Sequence, residues 1–335
     1  MANSSKIARP ATNSSRPGRS GGVLFLMAGW LLAAGCGGSG PAIPRPPGQP
    51  ATTPAQILFV SDRDGHKQIY RMAPDGTRTR RWAASAANDT APAWSPDHTR
   101  VAFVSDRNGA SHIFLAGSNG QHPQDVTPGP AVCGAPAWSP DGTRLAFVQW
   151  ETTGAQANIR VMRADGSDPR PLTAGAGING GPAWATGTRA AGDGTSAEGG
   201  LIYFTTNRER GGTSFDLYVM DPSGSRQRKV AAIPGLVGRP ALSPNGQLLA
   251  YAALVAPETP GLFVMEAGGT GGGRRVPAGG RDPTASAEPA WSPDGRRLLF
   301  TSWQNGNAEV YSMDTGGGNV KQLTANAAAD GGASW

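Results

Sequence analysis

The sequence predicts an all-β fold, a six-bladed β-propeller of four-stranded antiparallel blades, and three observations carry that prediction. A tryptophan-bearing motif recurs along the chain: APAWSPD at 91–97, APAWSPD at 135–141, GPAWATG at 181–187, RPALSPN at 239–245, EPAWSPD at 288–294 and GGASW at the end. Its tryptophan slot, Trp94, Trp138, Trp184, Leu242, Trp291 and Trp335, advances in steps of 44, 46, 58, 49 and 44 residues. That is the period of a four-stranded blade, not of a helical solenoid. Finally, the first repeat starts at Gln56 without a strand of the PAW type, and the last such strand has no successors. Each supplies what the other lacks, so the C-terminal strand is expected to complete the N-terminal blade and close the ring, which leaves no unpaired edge at the seam.

Within each period the elements follow one order. The PAW strand comes first. An apolar run follows, from ILFVS at Ile57 and VAFVS at Val101 to LLFTS at Leu298. A β-branched and aromatic run is third and mostly ends in methionine: Met72, Met162, Met220, Met265 and Met313 all fall in that slot. A short fourth run closes the unit, RWA at Arg81, DVT at Asp125 and QLT at Gln322 among them. These compositions are those of strands. The SPDG, APDG and RADG segments between them place Gly, Asn or Asp where a tight antiparallel turn needs positive φ.

Residues 1–35 stand apart. They carry Lys6, Arg9, Arg16 and Arg19 without an acid, then an apolar stretch from Val23 to Ala34. Twelve apolar residues are too few to cross a hydrocarbon core of about 30 Å as a helix, and the layout is that of a secretory leader. LLAAGC, from Leu31 to Cys36, resembles the lipobox of bacterial lipoproteins, with Ala33 at the usual leucine position. That resemblance implies lipidation of Cys36 and a membrane anchor at the cell envelope, on its periplasmic or extracellular side. Residues 36–55, rich in Pro and Gly, read as a tether ahead of a propeller at 56–335. Removing the leader's four cations leaves 26 Lys and Arg against 24 Asp and Glu, so the mature chain is near neutral and nucleic acid is not an expected partner. Cys133 is the only other cysteine, so no intrachain disulfide is expected.

The PAWSPDGTRLAF segment at 136–147 and the strand of IYxM type resemble the TolB-type propeller repeat, a relative of WD-repeat blades. The resemblance runs from Gln56 to Trp335. It implies a six-bladed propeller that binds envelope proteins or toxin segments, although the protein that gives the family its name carries an α/β domain ahead of the blades, where only a tether is expected here.

The repeated tryptophans and methionines read as packing columns, because they recur at the blade period and Leu242 substitutes for one of them. The slot eleven residues after the motif serine varies instead: Asp62, Asp106, Trp150, Thr206, Leu254 and Trp303. It lies at the loops between second and third strands, which share a face with the loops joining one blade to the next. Long loops on a rigid scaffold carry recognition. This face is therefore the expected partner-binding site, with Trp150 and Trp303 as anchors and Asn88, Asp89, Arg208, Arg239, Arg281 and Asp282 around them; aromatic and arginine anchors favour protein interfaces.

No nucleophile elbow, Walker loop or zinc spacing occurs, and no cofactor or metal is expected. The four histidines, His66, His98, His112 and His122, read as surface residues. The sequence thus points to a monomeric, lipid-anchored envelope propeller that binds a protein or peptide. The alternative is a propeller enzyme, a lyase or hydrolase acting on glycans through titratable groups that meet at the central channel.

Overall fold

The computed structural model describes residues 56–335 apart from 152–155, 176, 186–198, 210, 257–258, 270–271 and 278–285. The leader, Cys36, the tether, Arg281 and Asp282 lie outside the described residues.

Strands follow the order read from the repeats. After β1 (Ile57–Ser61), β2 (Gln68–Met72) and β3 (Arg80–Arg81) comes the second blade, β4 (Asp89–Trp94), β5 (Arg100–Ser105), β6 (His112–Gly117) and β7 (Gln124–Asp125). The third is β8 (Cys133–Trp138), β9 (Arg144–Trp150), β10 (Ala157–Arg163) and β11 (Arg170–Pro171). The fourth is β12 (Asn179–Ala185), β13 (Leu201–Thr206), β14 (Asp216–Met220) and β15 (Arg228–Ala231). The fifth is β16 (Leu236–Leu242), β17 (Leu248–Ala256), β18 (Thr259–Glu266) and β19 (Arg274–Arg275). The sixth is β20 (Ser286–Trp291), β21 (Arg297–Ser302), β22 (Glu309–Asp314) and β23 (Lys321–Gln322), and β24 (Asp330–Ser334) follows. No helix occurs among the described residues.

The sheets are six, each of four antiparallel strands, and β24 pairs with β1 to complete the first blade. Ring closure is visible in the inner strands. Each touches its two neighbours in the circle β24, β4, β8, β12, β16, β20 and back to β24. Apolar cores lie at the blade junctions, because each sheet buries both faces between neighbours. At the seam, Ile57, Phe59, Tyr70 and Met72 of the first blade pack with Ala290, Leu299, Val310 and Leu323 of the sixth and with Trp335. Burying each such large side chain stabilises the fold by about 1.5–3 kcal/mol.

Both packing columns behave as read. The tryptophan slot is buried throughout, and the indole N–H of Trp138 donates to Ala93 O at 3.0 Å while that of Trp291 donates to Ala241 O at 3.0 Å, each on the preceding blade's inner strand. The methionines insert toward the preceding blade, as Met162 does among Val126, Ala93 and Ala102. Turn glycines bring blades close. Gly76 has φ 83°, and a Cβ there would stand 2.7 Å from Leu323 O of the adjacent blade.

One further repeated feature positions the site. The ladder between first and second strands breaks at a β-bulge in every blade, and the bulge carries a residue of positive φ: Gly332, Ala91, Ala135, Gly181, Gly238 and Glu288. Such bulges re-aim side chains and are common at barrel rims and sites.

Candidate functional site

The face that carries the loops between second and third strands is built from two kinds of blade corner. In blades one, two and four the corner is sealed by an arginine. Arg63 Nε donates to Ser61 Oγ at 2.8 Å and its Nη2 to Asp330 Oδ2 at 2.8 Å, while the guanidinium carbon lies 4.4 Å from the Tyr70 ring centroid. Arg107 repeats this with Ser105 at 2.9 Å, both oxygens of Asp89 at 3.0 Å, and Phe114 at 4.8 Å. Arg208 does so with Thr206 at 3.2 Å, Asn179 at 2.8 Å and Tyr218 at 5.1 Å. The residue before each arginine pins the incoming loop: Asp62 Oδ1 accepts from Ala329 N, Asp106 Oδ1 from Asn88 N, and Asn207 Oδ1 from Ile178 N.

The arginine's position on its ring follows from local chemistry. Its hydroxyl partner ends the second strand, so the guanidinium folds back over the blade's aromatic pair and reaches the acid at the start of the inner strand. Asp330 and Asp89 are essentially buried, with side chains 0% and 3% exposed. A buried carboxylate needs such a partner.

In blades three, five and six this seal is absent. The arginine slot holds Glu151, Val255 and Gln304, the slot before it holds Trp150, Leu254 and Trp303, and the inner strands begin with Cys133, Leu236 and Ser286. The backbone bond of the corner survives, as Trp150 N to Val132 O and Leu254 N to Gly235 O, both 2.9 Å. What changes is the surface. Val132 is 43% exposed, Leu254 42% and Val255 36%, the large apolar side chains most open to solvent among the described residues. Trp150 is half-buried against Ala135, Val148, Ala157 and Ile178, and Trp303 half-buried against the core between blades five and six.

Glu288 lies on the inner strand of the sixth blade, two residues in from this face, and holds φ 56° at the bulge. Its Oε2 accepts from Thr301 Oγ1 at 2.7 Å and from Gly332 N of the closing strand at 2.9 Å. Burial pushes its carboxyl up to about 7, against the lowering pull of the Thr301 hydroxyl, the Gly332 N–H and the charge of Lys67. Lys67 is lowered by burial, an effect that Glu288 and Asp62 oppose. The two groups therefore meet electrostatically at the inner end of the seam. Cys133 is buried and its thiol is pushed up to about 11 by that burial, which keeps it a poor nucleophile.

A sequence profile described as the TolB beta propeller domain matches residues 46–131 and 195–335. The chain belongs to that family. Among curated proteins, it is 34% identical over 59 residues to the Tol-Pal system protein TolB of Bordetella pertussis, which is 18% of this chain and 13% of that protein. This chain thus aligns with about an eighth of the relative's length. Among solved structures it resembles TolB from Acinetobacter baumannii, with a TM-score of 0.68 at 19% identity over 86% of this chain and 68% of the other. The putative TolB from Agrobacterium tumefaciens gives 0.61 at 20% identity over 82% and 90%. At those identities the likeness concerns the fold.

Within this TolB-type propeller the residues expected at the partner site separate. Asn88, Asp89 and Arg208 belong to the sealed corners, with Asp89 2% exposed, and Arg239 is 4% exposed on the inner strand. Trp150 and Trp303 stand at open corners, where Leu254 and Val255 are more exposed than either. The varying slot of the fourth blade is occupied by Asn207, not Thr206: β13 pairs Ile202 with Met220 where β1 pairs Ile57 with Met72, one residue later than the apolar run implied. His112 is not a surface residue. It is 3% exposed and its Nδ1 lies 2.8 Å from Asp125 Oδ2, because it opens the third strand where the outer strand covers it. Glu288 was missed, although its signal was present: the residue before the PA pair is Ala, Ala, Gly, Arg and Glu in successive copies of the motif.

Proposed function

We propose that this chain is an exported, lipid-anchored TolB-type propeller that acts as a binding or scaffold module, presenting its loop-rich face to an envelope protein or peptide. Cys36 carries the lipid, residues 36–55 are the tether, and the propeller works as a monomer on the periplasmic or extracellular side of the membrane. The observation that carries the reading is the asymmetry of that face. Three corners are sealed by internal arginine contacts; of the other three, the third blade exposes Val132 beside Trp150, the fifth exposes Leu254 and Val255, and the sixth presents half-buried Trp303. Exposed apolar side chains gathered on one loop face of a rigid repeat scaffold favour protein recognition. The name of the Bordetella pertussis relative, a Tol-Pal system protein, fits an envelope setting.

The test is photo-crosslinking in envelope extracts with the full chain, Trp150→Ala, Leu254→Ser/Val255→Ser and a tight-turn control, Asp165→Lys. Loss of the same crosslinked partners from the first two variants but not the control supports the reading. Equal partner profiles in all four would falsify it.

A second reading, a glycan-acting propeller enzyme, is favoured by one observation, an inner-strand carboxyl at Glu288 raised by burial to about 7 with Lys67 within electrostatic reach. A carboxylate near 7 is suited to general base work. Incubation with uronate-containing oligosaccharides, followed by ultraviolet absorbance of an unsaturated product, tests it; no product at any pH from 6 to 9 removes it.

A further inference from the structure

Inner-strand acids on the loop-rich face are neutralised by the arginine of their own blade: Asp330 by Arg63 and Asp89 by Arg107. In the fourth blade the inner-strand position is neutral Asn179, and Arg208 hydrogen-bonds it all the same. The sixth blade breaks this coupling. Its inner strand carries Glu288, but Gln304 stands where the arginine would be, and the inner-strand start is Ser286. The charge sits in a slot that holds Gly332, Ala91, Ala135 and Gly181 in blades one to four.

The geometry of Glu288 is that of a half-filled receptor. One oxygen, Oε2, accepts both hydrogen bonds, from Thr301 and from Gly332 N. Its residue keeps partial exposure. From the elements packed around it, β21 supplies the hydroxyl of Thr301, the closing strand β24 a backbone N–H, and the turn between β1 and β2 supplies Lys67, whose charge lowers the pKa of Glu288, while β16 on the neighbouring fifth blade carries Arg239 in the equivalent sequence slot. Glu288 takes part in no ion pair within 4 Å among the described residues. A carboxylate drawn out of bulk water without a contacting cation is costly, and the cost is recovered when a cation docks with good geometry.

We infer that Glu288 is a receptor for one cationic group, the ammonium or guanidinium of a protein segment that docks on the loop-rich face with its apolar side chains over Leu254, Val255 and the open corner at Trp303. The inference rests on the proposed partner-binding face and adds to it the chemistry of the partner: an extended segment that pairs a basic residue with neighbouring apolar ones. Leu254 and Val255 lie in β17 of the fifth blade, which packs against the Glu288 strand β20, and Trp303 packs against the core between blades five and six. Because the receptor must be ionised, binding strengthens as pH rises through the neutral range.

The experiment pans a phage-displayed random dodecapeptide library on the full chain at pH 8, followed by affinity measurement of the enriched peptides on wild type, Glu288→Gln, Leu254→Ser/Val255→Ser and the opposite-face control Asp165→Lys. Gln keeps an oxygen for the Thr301 and Gly332 hydrogen bonds, so the seam stays intact while the charge is removed; circular dichroism and melting confirm the fold. Expected are peptides with Lys or Arg at a fixed distance from an apolar pair, whose affinity falls at least about tenfold in Glu288→Gln and in wild type at pH 6, and is unchanged in Asp165→Lys. Peptides that bind the loop-rich face, weakened by Leu254→Ser/Val255→Ser, but lack a basic position or ignore Glu288→Gln overturn the receptor alone. Peptides indifferent to both loop-face variants but lost in Asp165→Lys, or a library without any enriched peptide, overturn the face itself and the receptor with it.

Discussion

The carboxylate of Glu288 accepts a hydrogen bond from the backbone N–H of Gly332, 44 residues later, across the seam where the last strand of the chain completes the first blade. The contact couples ring closure to the protonation of one side chain. Its carboxyl is raised by burial from the ordinary 4.5 to about 7. The folded state therefore holds a proton that the unfolded chain releases between those values, and stability falls as pH rises from about 4.5 to about 7, then levels off. Full linkage would amount to about 3 kcal/mol, and the residue's partial exposure reduces it. Glu288→Gln is expected to melt a few degrees above wild type at pH 8 and within a degree of it at pH 4.5. Parallel melting curves for the two proteins at both pH values would sink this account.

The sealed corners make a graded prediction. Arg107→Ala leaves Asp89 buried without its cation, which costs about 3–5 kcal/mol. Arg208→Ala leaves only the neutral Asn179, a loss of about 1 kcal/mol for a hydrogen bond plus its contact with the aromatic pair. Denaturant unfolding of both variants should rank them in that order. Adding Asp89→Asn to Arg107→Ala should restore a large part of the loss, and a double mutant as unstable as the sum of the singles would contradict the pairing.

Trp335 packs at the seam with Ile57, Phe59, Leu299 and Val310. Truncation to Ala should cost about 3–5 kcal/mol. Because the strand it ends is the one that closes the ring, Trp335→Ala is expected to lower the midpoint of the whole molecule in a single transition. Separate early melting of the first blade would argue against a cooperative ring.

Cys133 offers a chemical check on burial. Its thiol, raised to about 11 and 2% exposed, should resist alkylation by iodoacetamide at pH 8 in the native protein and react fully in denaturant. Rapid labelling of the native state would show that the third blade's open corner is looser than its packing indicates.

Legibility in the sequence was highest where a residue repeats. The PAW tryptophans, the methionine column and the DG turns each recur at the blade period, so their burial and the order of strands are encoded locally in the repeat. Reading failed where the local string was ambiguous by one residue or where partners are distant. LIYFTT contains two adjacent threonines, and only pairing of Ile202 with Met220 fixes which one ends the strand. Asp89 is buried under Arg107 of its own blade, a contact between residues 18 apart that the sequence does not show, whereas Asn88 and Arg208 keep exposed surface while bonding Asp106 and Asn179.

The chain's own repetition determined the number of blades, their strand order and the exchange of strands at the seam, because period-two strands and glycine turns are encoded within a few residues of one another. Tertiary structure alone decided what each corner arginine reaches. The arginine slot itself is local, Arg63, Arg107 and Arg208 against Glu151, Val255 and Gln304, but its partner at the start of an inner strand, Asp330, Asp89 or Asn179, lies 18 to 267 residues away, a distance across which no local pattern carries information. The same long-range geometry left Glu288 partly buried, bonded to Thr301 and Gly332 across the seam, and without an arginine of its own blade.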